Sequence, residues 1–168
     1  MKNWLIPVAA LLMMSCQQEK IGFVDNVKLM DGYQKKKDVE AAYQIKSVAF
    51  TRKRDSISQV FQIEAQELQT KSEGMSQSKA QEAFGQLQQK GQMVGQQLQQ
   101  EEQQLQRMGQ LKMDSVIQEV RKTIKEFGKA NGYSFILTGG EGGSVLYGKD
   151  AADVTEAVLK VLNDSYDK

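Results

Sequence analysis

The 168-residue chain has the length of one ordinary domain, but aromatic residues make up only 7% of it and there is one Pro. It carries 22 basic and 21 acidic side chains, and a balance so close to neutral argues against sequence-independent nucleic-acid binding, which rests on excess basic charge. With no His and one Cys, it lacks the commonest metal ligand and general base and cannot form an intrachain disulfide.

The chain begins with Lys2 and an apolar run from Trp4 to Met14. That run is shorter than the ~20 residues a bilayer-spanning helix needs and has the length of a secretory signal core. Met13-Met14-Ser15-Cys16 follows, and then the polar Gln17, Gln18, Glu19 and Lys20. A small residue before a Cys at this boundary resembles a bacterial lipobox. The resemblance implies a signal peptide over residues 1–15, cleavage before Cys16, lipidation of its thiol and a lipidated linker over residues 16–20. Leu is usual three residues before the Cys, and Met13 departs from that. Loss of Lys2 with the leader leaves 21 basic against 21 acidic side chains.

Residues 21–33 read as part of a small body, with a strand over Ile21-Gly22-Phe23-Val24-Asp25 and a short helical segment from Asn26 to Tyr33. Residues 34–131 read as a long helical arm. In its first half, Tyr43, Phe50 and Ile57 are spaced by sevens, as are Phe61, Leu68 and Met75, with Val39 and Val60 beside them. This is a heptad pattern whose leading seam changes midway. The Ser- and Gly-containing stretch at residues 72–78 marks a tip, with Ser78 as the expected N-cap and Gln81 completing a capping box.

In the second half, Ala80, Leu87, Val94, Glu101 and Met108 share one seam position. Phe84, Gly91, Leu98 and Leu105 share the other. Between Gln81 and Gln110, 13 of 30 residues are Gln, which forms helix readily but cannot fill a dry core. Gly85, Gly91, Gly95 and Gly109 each weaken the helix by up to ~1 kcal/mol against Ala. The expected arm is therefore compliant away from the body and stiffer over the apolar face from Val116 to Phe127.

Gly128 and Asn131-Gly132 are stop signals. Residues 132–168 then return to the body. Tyr133 to Leu137 reads as a strand, Gly139 to Gly143 as a turn, and Val145-Leu146-Tyr147 as a third strand closing a hairpin. Gly139 to Gly143 lacks the spacing of a phosphate-binding loop. Asp153-Val154-Thr155-Glu156 starts a final helix whose apolar face is Val154, Val158, Val161 and Leu162. The expected fold class is α+β. A small sheet body is split between its first and second strands by a long antiparallel coiled-coil hairpin and closed by a C-terminal helix. So small a core favours oligomerisation, through Ile21, Phe23, Val24, Phe135, Leu137, Val145 and Tyr147.

The order of elements, the opening Ile21-Gly22-Phe23-Val24-Asp25-Asn26-Val27, the strand at Tyr133 to Leu137 and the closing stretch from Asp153 to Asn163 together resemble the Skp/OmpH family of periplasmic chaperones. The resemblance covers nearly all of the mature chain. It implies a homotrimer whose helical hairpins hold unfolded outer-membrane β-barrel proteins without ATP, and it brings no catalytic residue, cofactor or metal. Phe61, Leu68, Met75, Phe84, Met93 and Leu98 are the expected client-facing arm residues. The expected location is the periplasm, on the inner or outer membrane of a Gram-negative-type envelope. Well-studied members of that family are strongly basic, whereas this chain is neutral. The alternative is a trimeric coiled-coil lipoprotein that scaffolds or spaces an envelope complex.

Overall fold

A computed structural model describes residues 19–166, so the apolar leader and Cys16 lie outside the described residues. Strand β1 (Ile21–Asp25) runs directly into helix α1 (Asn26–Gly32). Asp25 makes that transition: its Oδ1 accepts the amides of Val27 at 3.0 Å and Lys28 at 3.1 Å, satisfying donors that a helix start leaves open. Tyr33 separates α1 from helix α2 (Gln34–Ser72), and residues 73–76 turn the chain into helix α3 (Gln77–Ala130). The start at Gln77 places Ser78 inside the first turn, so the expected N-cap lies two residues too late. Strand β2 (Phe135–Gly139), a short 3-10 turn (Asp150–Ala152) and helix α4 (Thr155–Tyr166) complete the chain.

The chain forms two compact units. One comprises residues 19–34 and 118–166, and the other comprises Lys35–Ile117. In the first unit, β1 and β2 pair in parallel, with Ile21 opposite Phe135 and Phe23 opposite Leu137. Parallel pairing needs a long crossover, and α1 to α3 provide it. Gly22 and Val24 are buried, Gly22 beside the Tyr133 ring, and Leu29, Tyr33, Val158 and Leu162 are the fully buried side chains of this unit. Gly22 is needed there, because a methyl group at that position would stand 2.9 Å from the Tyr133 ring.

The sheet differs from expectation in one respect. Val145-Leu146-Tyr147 is not a strand, and the body has two strands among the described residues. A single hydrogen bond, from Val145 N–H to the Thr138 carbonyl at 3.1 Å, begins the expected hairpin. The chain then leaves β2 and passes over Phe23, whose ring occupies the space beside Gly139 and Gly148. Gly140 at φ 77° carries the turn next to the Asp25 carboxylate, where a side chain would clash. The other edge of β1 is met instead by Asp153, in an isolated parallel bridge, and by Val154 N–H, which donates to the Phe23 carbonyl at 2.9 Å.

In the second unit, α2 and α3 meet through Tyr43 with Gly109, Lys53 with Glu101, Phe61 with Gly91 and Glu64 with Lys90, so numbers rise along one helix as they fall along the other. Over residues 77–113 of α3 the less exposed positions are 80, 83, 87, 91, 94, 98, 101, 105, 109 and 113. Their spacing of three and four is that of a packed helical seam, with added four-residue steps. Those steps move Ala83 and Gly109 onto the seam and put Phe84 and Met108, both expected on it, at exposed positions.

Candidate functional surfaces

The outward face of the β1–β2 pair is apolar and open. Ile21, Phe135 and Leu137 are exposed on it, and Phe23 is partly shielded by the loop that crosses its ring. Beyond β2, Leu146 is 100% exposed and Tyr147 is 85% exposed. Among the seven body residues expected to serve association, Val24 lies on the opposite face, buried in the core. Val145 is half-buried, and the other five are available to a partner to different degrees.

Behind this face the polar interior is closed by hydrogen bonds. Thr155, the buried polar residue of the described core, accepts Asp25 N–H on Oγ1 at 2.8 Å and donates to the Asp153 carboxylate. Asn163 on α4 accepts the Gln34 amide at 3.0 Å and donates to the Gly32 carbonyl at 3.3 Å, which fixes the α1–α2 junction. Fully buried Tyr33 donates from Oη to Glu119 Oε1 at 2.9 Å. Burial first, then the adjacent Glu119 and Tyr166, push the Tyr33 hydroxyl well above the usual tyrosine range.

The helical unit offers a different surface. Of the six expected client-facing residues, Met75, Phe84 and Met93 are exposed, whereas Phe61, Leu68 and Leu98 are half-buried on the α2–α3 seam. Sequence reasoning missed Ile45, Ile63 and Leu111, all exposed. The signal was present, because none of the three falls on the three-four seam, and an apolar residue off a seam faces outward. Two hollows open between α2 and α3. One, of about 250 Å³, is floored by Ile57, Val60, Phe61, Val94 and Leu98. The next, of about 430 Å³, is lined by Ala49, Phe50, Leu105 and Met108, with Lys46 on its rim. Lys53 and Glu101 pair at 2.6 Å on the wall between them. Lys90 pairs with Glu64 at 2.6 Å beside the first hollow and lies 5.3 Å from the Phe61 ring centre.

Charge changes sign along this unit. Residues 35–54 hold seven basic and two acidic side chains, and residues 55–106 hold three basic and seven acidic ones. Among the described residues no group of His, Cys, Asp and Glu could hold a metal ion, and no helix is long and apolar enough to cross a membrane.

The chain thus combines a helical hairpin that interrupts a small parallel sheet with exposed apolar side chains on both units. The family model described as outer membrane protein (OmpH-like) matches residues 20–162, and the chain belongs to that family. Among solved structures, the chain is similar to an OmpH-like candidate outer membrane chaperone from Caulobacter crescentus CB15. The two share 19% identity and a TM-score of 0.77, over 88% of this chain and 85% of that one. At that identity the likeness is one of fold. No curated protein sequence matches.

Proposed function

We propose that the protein is an ATP-independent holdase of the periplasm, which binds unfolded outer-membrane β-barrel proteins and keeps them from aggregating. Membership of the OmpH-like family over residues 20–162 is the observation that carries this reading. Apolar side chains left open on the helical unit support it, since a protein that grips unfolded chains must present apolar surface before its partner arrives. Adaptable Met93 and Met108 suit varied clients.

The working unit in this proposal is a homotrimer, joined through the open face of the body. Ile21, Phe135 and Leu137 lie together there, and Leu146 and Tyr147 lack cover within one chain. The segment at residues 145–147, with the composition of a strand and no strand partner, would pair with a neighbouring copy. Lipidation of Cys16 would hold the assembly at a membrane surface, since buried acyl chains contribute ~0.8 kcal/mol per CH₂. Fatty-acid labelling lost in Cys16→Ala is the expected result, and equal labelling would remove the anchor from the proposal.

Phe135→Lys with Leu137→Lys tests the assembly. Both side chains are exposed, so the chain should keep its helicity by circular dichroism. Sedimentation should fall from three chains to one, and suppression of client aggregation should fall with it. Retained trimer mass would show that another surface joins the copies.

A further inference from the structure

The two hollows on the helical unit bear on which feature of a client is recognised. Both are half-open, and the Lys53–Glu101 pair stands where they adjoin. Of the charged groups on their walls, Lys53 pairs with Glu101 and Lys90 with the neighbouring Glu64, and Lys46 stands on the rim of the second hollow outside these pairs. Between these charged rims the apolar lining of Ile57, Phe61, Val94 and Leu98 in one hollow and Phe50, Leu105 and Met108 in the other suits apolar groups. Their lining residues are displaced from each other by about eight residues along α2, or ~12 Å at helical rise.

In an extended chain, side chains at i and i+4 lie on the same face ~13 Å apart. We propose that the paired hollows take two apolar side chains, preferably aromatic, spaced i and i+4 on one extended segment of the client. The transmembrane strands of a β-barrel carry such side chains, because their lipid-facing positions alternate along the strand. The large flat rings supply the most apolar area per side chain, and the Lys90 ammonium already beside Phe61 would meet the face of a second ring. This inference rests on the holdase reading for the client arriving unfolded. On a helix, i and i+8 span the same ~12 Å, so a helical ligand is the competitor to be excluded.

The test uses the full-length chain and labelled decapeptides of Thr, Ser and Gln that differ only in where two Trp residues stand. Trp at positions 3 and 7 should bind about tenfold tighter than Trp at positions 3 and 6, since the second arrangement leaves one ring outside its hollow. Equal binding overturns the proposal. An Ala-rich helical peptide with Trp at i and i+8 should bind no better than the 3-and-6 peptide, and tighter binding by it overturns the extended-chain assignment. Val60→Lys and Met108→Lys alter one hollow each at positions 49% and 48% exposed, so the helices should persist. Each should abolish the preference between the first two peptides, and a preference retained in both places the binding elsewhere. Suppression of barrel aggregation, measured on the same preparation, separates the two claims. A preparation that suppresses aggregation without peptide preference loses only the paired-hollow assignment, and one that suppresses none loses the holdase reading.

Discussion

Gly109 and Gly95 stand on the same helix with opposite consequences. A methyl group at Gly109 would come within 2.7 Å of the Tyr43 ring, whereas one at Gly95 would meet nothing within 4 Å. Gly109→Ala should cost about 1–3 kcal/mol through displacement of a flat, seated ring. Gly95→Ala should gain up to ~1 kcal/mol from helix propensity alone. Thermal melts of the two variants should therefore move in opposite directions. Composition treats these glycines alike, as weak points. Which of them carries an aromatic ring depends on the partner helix, whose register no single helix reveals.

Tyr33 gives a second residue-scale prediction. Its hydroxyl is held protonated in the folded chain, so its folded pKa lies above the unfolded value of about 10. Its contribution to stability is complete below pH ~10 and is lost as pH rises above that, because the unfolded chain then releases a proton the folded chain retains. Tyr33→Phe should flatten the decline of stability above pH ~10. At neutral pH it should cost ~1 kcal/mol through the lost bond to Glu119. Urea denaturation at a series of pH values reads both effects, and an unchanged alkaline slope would contradict the assignment to Tyr33.

At the scale of elements, the helices were legible and the sheet only half so. Unbroken helical periodicity without Pro places α2 and α3 close to their observed limits, and Gly132 at φ 69° ends the second where the stop signals stand. Val145-Leu146-Tyr147 has strand composition but forms no strand: Val145 N–H bonds the Thr138 carbonyl, and the chain then leaves β2 with Leu146 and Tyr147 exposed. The choice between a local hairpin and a pairing more than a hundred residues distant is a tertiary one. The same limit applies to the expected client-facing set. Met75, Phe84 and Met93 are exposed as a binding role requires, but Phe61, Leu68 and Leu98 also serve the seam between α2 and α3.

Compliance of the helical unit is also an element-scale property. Gly91 and Gly95 leave room for methyl groups, with the Phe61 ring 3.8 Å from the first and nothing near the second. Gly91→Ala with Gly95→Ala should raise helicity by circular dichroism and lower the capacity to hold large barrels. Higher helicity with unchanged capacity would show that bending of this unit does not matter for capture.

For the whole molecule, neutrality limits what long-range attraction can contribute. Basic charge concentrates in residues 35–54 and acidic charge in residues 55–106, so any electrostatic steering of clients is local to part of the helical unit. In the proposed holdase, capture would then rely mainly on apolar contact, as the apolar lining of the two hollows allows. Holding should accordingly weaken little between low and moderate salt.

The central claim is that this chain holds unfolded barrels. Its most direct test dilutes a urea-unfolded outer-membrane β-barrel into the purified chain and follows light scattering, with the mass of the product measured by sedimentation. Suppressed scattering and a defined complex of three chains with one client are expected. A stable assembly that leaves the aggregation unchanged would contradict it and point to a scaffold with a fixed partner in the envelope.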